Sequence, residues 1–360
     1  MLLPVHCHTL AKHINKKRAL MGFKNAHVDA ITEAQWMGAF ACKFVPHEAT
    51  RLEYQLNVAR KFHCKIPRLS YLPLITPAVV EHYFERPEEV ANLRISYELV
   101  VPSQTSSSGG DGGEQAVWAP EYYPLGVLVD SLCNHDYGVV TFSFRVTGGA
   151  PDSNVLALPI GTSDKGLFLN LHQQQKATCV SLFGSNQAMM KLEPQLMNQL
   201  DDAVRQNDCR AFYHPRNIVF QSGSQDSLRS SISSAALVGD MATFMIHKDG
   251  LHTMRLVSIR SAPTLGLVLK CCLQCFEGLD VDGIDNQPAD SQKYAAVLLT
   301  GVEPALSTPT EFLRDNLACA DFAIHLTVQQ AATSTLPRGL FPQVDWKALS
   351  RNASMSSPLM

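Results

Sequence analysis

Two stretches 140 positions apart repeat one helix design, and that repetition limits the folds open to this chain. The run from Pro124 to Cys133 has apolar residues at Leu125, Leu128, Val129, Leu132 and Cys133. The run from Thr264 to Leu273 has them at Leu265, Val268, Leu269, Cys272 and Leu273. Both follow the i, i+3, i+4, i+7, i+8 spacing that lines one face of a helix. Each has a glycine at the same offset, Gly126 and Gly266, and each stands among strand-like segments. A chain that writes this unit twice is expected to hold two copies of one small α+β domain.

The rest of the chain divides around these units. The first 28 residues contain no acid but carry Lys12, Lys16, Lys17, Arg18 and Lys24. A mitochondrial presequence is rich in Arg and Ser; here Lys predominates and Ser is absent, which favours a basic amphipathic arm. Strand character appears at 38–45, 93–101 and 139–146, an extended piece at 65–75, and a short proline-opened helix at 77–84. Residues 103–113, all Ser, Gly, Gln, Thr and Asp, read as a flexible loop. They lead into no helix bearing a lysine, so they do not make a phosphate loop. Residues 163–205 are helical in character, rich in Gln and Met, and broken at Gly184 and Pro194. Strands are expected again at 217–221, 254–259, 295–300 and 322–328, with an acidic loop at 277–285. A helix start is expected at Ser307–Glu311.

The expected fold is therefore α+β, with two ubiquitin-like β-grasp domains flanking a helix-rich region. The boundaries are a basic extension at 1–31, a first domain at 32–160, helices at 161–208, a second domain at 209–330 and a disordered tail at 331–360. With 18% charged and 46% hydrophobic residues the chain has the composition of a globular protein. A formal charge of −3 carries no electrostatic signature of nucleic-acid binding. No apolar run is long enough to span a bilayer. Ten cysteines lack the rhythm of a disulfide framework, which suits a reducing, cytosolic setting.

Chemistry-bearing constellations are few. Cys272 and Cys275 form a C-x-x-C, yet no second Cys or His pair stands at ligand spacing and Cys272 lies on the apolar helix face, so packing is expected. His6, His8, Cys7 and His13 sit in an arm that offers no framework for a metal. No cofactor is expected. The rival to a non-catalytic reading is a cytosolic cysteine-dependent transferase, although no cysteine stands in a known nucleophile signature.

Several segments in order resemble the autophagy protein 5 family. Gln35-Trp-Met-Gly38 is similar to its opening Trp-x-Gly, and Pro67-Arg-Leu-Ser-Tyr-Leu72 to its Pro-Arg-x-x-Tyr-Leu stretch. Tyr123-Pro-Leu-Gly-Val-Leu-Val-Asp130 resembles a helix start of the family. Gly301-Val-Glu-Pro304, with 312–317 and 322–326, resembles the C-terminal strand–helix–strand. The segment from Leu171 to Ser185 resembles the one whose lysine accepts the C-terminal glycine of autophagy protein 12, which maps the acceptor onto Lys176. Gln175 departs from the family's leucine, while the spacing from Lys176 to Cys179 and to Gly184-Ser185 is kept.

The resemblance implies a conjugation substrate and ligase-like scaffold without catalytic residues of its own. Autophagy protein 10 would be the conjugating enzyme and autophagy protein 16 a helix seated in a groove. Autophagy protein 3 would be a further partner, and the conjugate would promote lipidation of autophagy protein 8. It also implies cytoplasmic residence with peripheral contact at the phagophore membrane. Trp36 and Arg68 are candidates for the neighbourhood of the partner groove.

Overall fold

The computed structural model describes residues 30–57, 59–90, 93–102, 114–133, 138–147, 163–229, 240–248, 251–273 and 296–329. The basic arm, the Ser/Gly loop, the acidic loop, Cys275 and the tail lie outside the described residues.

Helix α1 (Ala30–Met37) leads into the first unit, made of β1 (Ala39–Pro46), α2 (Glu48–Glu53), β2 (Phe62–Pro67), α3 (Leu72–Tyr83), β3 (Arg94–Pro102), β4 (Glu114–Ala119), α4 (Leu125–Leu132) and β5 (Val140–Thr147). Its strand order is β2-β1-β5-β3-β4, with β1 and β5 parallel at the centre and antiparallel neighbours outside. That is the β-grasp arrangement. Alternate residues Phe40, Cys42 and Phe44 of β1 and Phe142 and Phe144 of β5 face one core, as the period of two in a strand requires. Helix α3 closes this core and is pinned to the sheet by two phenols. Tyr83 Oη donates to the Phe44 carbonyl at 2.6 Å, and Tyr97 Oη meets Thr76 Oγ1 at 2.8 Å.

Four helices follow: α5 (Ser163–Phe183), α6 (Gln187–Met190), α7 (Pro194–Gln206) and α8 (Cys209–Arg229). The breaks fall at Gly184, whose φ of 71° is a left-handed conformation glycine adopts freely, and at Pro194 in the first turn of α7.

The second unit comprises β6 (Met241–Lys248), β7 (Leu251–Ser258), α9 (Leu265–Leu273), β8 (Ala296–Leu298), α10 (Thr310–Asn316) and β9 (Ile324–Gln329). Its order β7-β6-β9-β8, with β6 and β9 parallel, repeats the first unit without the outermost strand. Cys272 is 1% exposed in this unit's core, so packing is its role.

Three expectations need correction. Residues 217–221 form no strand but lie inside α8, so helical chain runs on past residue 208 to Arg229. Ile218, Val219 and Phe220 have strand propensity, but Phe212, Tyr213, Arg216 and Val219 recur at helical spacing and are all buried, and tertiary packing overrides local preference. The helix expected at 77–84 begins earlier, at Leu72, and Pro77 sits inside it, so 72–75 is not extended. Finally, the two look-alike helices are not equivalent by position. Helix α4 lies between β4 and β5, whereas α9 follows the β6–β7 hairpin, where the first unit has α3.

What the two share is a job. The amides of Leu125 and Gly126 donate to the carbonyls of Ser70 (2.8 Å) and Arg68 (2.6 Å), in the stretch that enters α3. Those of Leu265 and Gly266 donate to Thr308 (2.9 Å) and Leu306 (2.8 Å), in the stretch that enters α10. In each unit, the start of one helix is zipped to the lead-in of the other. The glycine at Gly126 is required there, because a Cβ would lie 3.0 Å from the Arg68 carbonyl oxygen and 2.9 Å from its Cβ.

Candidate functional site

The helix bearing Lys176 is wedged where the two units meet. Phe168, Leu171, Cys179 and Leu182 face a buried cluster that draws in Trp36 and Tyr71 from the N-terminal side and Cys319, Ala320 and Phe322 from the second unit. Polar contacts fix the register of α5 on the loop before β9. Gln175 Nε2 donates to the Ala320 carbonyl at 2.7 Å, and Thr178 Oγ1 donates to the Asp321 carbonyl at 3.0 Å. This accounts for the departure at Gln175, whose amide satisfies a buried carbonyl that a leucine would leave without this donor.

With residues 175, 178 and 179 held inward, Lys176 falls at the edge of the buried face and is half-buried. Its side chain takes part in no hydrogen bond or ion pair among the described residues. The outward face beside it carries Leu169 (64% exposed), Gln173, Ala177 and Val180 (47%), a mostly apolar strip next to an amine. Lys165 and Lys191 are exposed. One turn before Lys176, His172 Nε2 lies 2.8 Å from Oδ1 of Asp201 on α7.

Trp36 and Arg68 are framework residues, not surface ones. Trp36 is 2% exposed with its ring 5.1 Å from that of Phe212. Arg68 is 8% exposed. Its Nε donates to the Thr300 carbonyl at 2.8 Å, a terminal nitrogen pairs with the Asp130 carboxylate, and the guanidinium lies over the Phe40 ring at 5.6 Å. Arg68 thus joins β1 and α4 of the first unit to the 300–301 turn of the second. Gly301 makes room for it: its φ is 93°, and a Cβ there would lie 2.1 Å from Arg68 Nε.

A groove lies elsewhere, and neither Trp36 nor Arg68 lines it. Two adjoining clefts of about 350 and 380 Å³ share Phe220, Gln221 and Asp315. They run between α8 and α10, with Thr32 of α1 at one end and Leu182 and Phe183 of α5 at the other. Its floor is Arg216, 1% exposed, which donates to the carbonyls of Arg314 (2.5 Å) and Asp315 (3.2 Å) and lies over the Phe220 ring. Thr32 Oγ1 and Tyr213 Oη donate to the next carbonyl, that of Asn316. A cation and two hydroxyls therefore satisfy the orphan carbonyls at the end of α10.

The second interface feature escaped sequence reading altogether. Asp321 accepts from His325 Nε2 at 2.8 Å, and His325 Nδ1 lies 3.0 Å from His247 Nε2. The Tyr123 ring of the first unit packs edge-on against His247, His252 and His325. Burial holds His247 well below the usual histidine range, with His325 and His252 adding to the effect. The partners come from β6, β7, β9 with the turn before it, and the turn before α4, and apart from Asp321 and His325, four residues apart, no spacing in the sequence pairs them.

Six of the ten thiols are poor nucleophiles. Burial pushes Cys64 and Cys209 up to about 11, Cys133 and Cys179 up to about 12, and Cys42 and Cys319 upward as well. All six are neutral thiols near pH 7, and the thiolate is the attacking species. Among the described residues, no cluster of His, Cys, Asp and Glu could hold a metal ion, and no helix is long and apolar enough to cross a membrane.

No family model matches the sequence. The structure is similar to the crystal structure of Kluyveromyces marxianus Atg5, with a TM-score of 0.57 over 83% of this chain and 99% of that one, at 16% identity. Two β-grasp units, the helices between them and this likeness give one result: the chain has an Atg5-like fold.

Proposed function

We propose that this chain is an autophagy scaffold that becomes covalently joined, through Lys176, to the ubiquitin-like autophagy protein 12. The observation that carries the reading is an unpaired, half-buried lysine on a helix clamped to the joint of two ubiquitin-like units, beside an exposed apolar strip. A lysine amine is only about one part in a thousand unprotonated near neutral pH. The activated carbonyl therefore arrives as a thioester on a conjugating enzyme, autophagy protein 10 in this reading. The apolar strip offers that complex a surface on which to settle. The groove between α8 and α10 suits an amphipathic helix, in this reading that of autophagy protein 16. The conjugate then assists autophagy protein 3 in attaching autophagy protein 8 to lipid, from a cytoplasmic position with peripheral membrane contact.

The test is a denaturing blot of cell extract for a shifted, covalently linked form. Lys176→Arg keeps charge and helix propensity but removes the primary amine. The shifted band is expected to vanish in Lys176→Arg and to persist in Lys165→Arg and Lys191→Arg. A band that survives Lys176→Arg and vanishes in either neighbour refutes the assignment. The transferase reading would require one thiol that alkylates far faster than the rest, and the raised thiols weigh against it.

A further inference from the structure

The acceptor reading leaves one chemical problem on this chain: something must take a proton from the Lys176 ammonium before it attacks. We infer that His172, held by Asp201, is the base that does so; this rests on Lys176 being the acceptor. Residues four apart stack on one helix face, and helical side chains lean toward the N-terminus. Lys176 and His172 are therefore neighbours one turn apart on one face of α5, both half-buried.

The pair is arranged for this role. A carboxylate only accepts, so the 2.8 Å contact puts the imidazole proton on Nε2 and the lone pair on Nδ1. Asp201 fixes the ring and stabilises the imidazolium that forms when Nδ1 takes a proton. Asp201 is kept for this task by its neighbours. Arg205, one turn along α7, is engaged by Asp202 at 2.9 Å and Asp164 at 3.4 Å, and its guanidinium sits 4.2 Å over the Phe168 ring. With side chains 21% and 16% exposed, His172 and Asp201 are sheltered yet open to an incoming thioester.

The step balances as follows. The Lys176 ammonium gives one proton to His172 Nδ1, and the amine attacks the thioester carbonyl carbon. A C–N bond forms, the C–S bond breaks, and the electron pair leaves on sulfur. The second amine proton neutralises the departing thiolate, and the imidazolium returns its proton to solvent.

The test uses the full chain and a small acyl thioester, N-acetylcysteamine acetate thioester, with acylation of each lysine followed by mass spectrometry from pH 5.5 to 9. In the parent chain Lys176 is expected to react faster than Lys165 and Lys191 across this range. His172→Gln should slow Lys176 by roughly a hundredfold, the low end of general-base contributions, and bring it to the rate of Lys165 and Lys191. Asp201→Asn should slow it less, and the other lysines should be unaffected in both. Circular dichroism checks that each variant is folded. Equal rates for the three lysines, or a Lys176 rate unchanged in His172→Gln, overturn the proposal even if the cellular adduct sits on Lys176. Loss of the acceptor assignment would instead appear in the blot of Lys176→Arg, which the thioester rates do not influence.

Discussion

Replacing Arg68 with Met removes the guanidinium at the joint while keeping most of the side chain's volume. What remains is Asp130, a carboxylate 1% exposed in the last turn of α4, where the helix dipole already disfavours negative charge. Removing one member of a buried pair costs about 3–5 kcal/mol, mostly for the charge left behind. The Thr300 carbonyl also loses its 2.8 Å donor. Against a usual stability of about 5–15 kcal/mol, this is a large fraction of the total. The unfolded population should rise by roughly two to three and a half orders of magnitude, at about 1.4 kcal/mol per factor of ten. The assay is urea unfolding followed by circular dichroism and by tryptophan fluorescence, to which the buried Trp36 of the joint contributes alongside Trp118 and Trp346. The double variant Arg68→Met with Asp130→Leu should regain most of the loss, since apolar residues of similar volume often replace a buried pair without penalty. A loss below about 1 kcal/mol in the single variant, which is what an exposed pair contributes, refutes the view of Arg68 as the buried tie between the units. So would a double variant less stable than the single one.

Three further outcomes are expected. His247 has a lowered folded-state pKa, so as pH falls below about 6.5 the unfolded chain binds a proton that the folded chain refuses. Stability should therefore be full above that pH and fall as pH drops toward the folded value, by at most about 1.4 kcal/mol per pH unit, and urea midpoints of His247→Gln should lose that slope. Gly301→Ala combines a φ of 93° with a Cβ placed 2.1 Å from Arg68 Nε, so it should cost at least about 1–3 kcal/mol from backbone strain alone, read as a lower urea midpoint. Flotation with anionic liposomes should be salt-sensitive and should weaken when residues 1–30 are removed, since each basic residue contributes about 1 kcal/mol near such a surface; equal flotation of both forms would remove the arm from consideration.

Much of this architecture was legible because it is written in local periodicity. The helices at 125–132 and 265–273, the breaks at Gly184 and Pro194, and the strands at 94–102, 140–147 and 324–329 all follow from spacing, glycine and proline. Lys176 could be singled out only through resemblance, because a lysine on a helix has no local signature of being an acceptor. The strands at 114–119 and 241–248 were not read. Both faces of β6 are covered, Ala242, Phe244 and Ile246 by the core and Thr243 and His247 by neighbouring elements, and Met245 interrupts the polar face, so the alternation that marks a strand is weak.

By itself, then, the sequence determined the helices at 125–132, 163–183, 194–206 and 265–273 and the breaks between them, since those rest on contacts within a few residues of each other. Tertiary structure alone decided what each residue at the joint does. Arg68 reads as a surface cation until Asp130 and Thr300, 62 and 232 positions away, close around it. The same holds for His172 with Asp201, 29 positions apart, and for His247 with His325, which meet when β6 and β9 pair and are covered by Tyr123 only when the two units pack. Residues 217–221 make the point in reverse: their composition favours a strand, and only the demand to bury Phe212, Arg216 and Val219 on one face holds them in a helix.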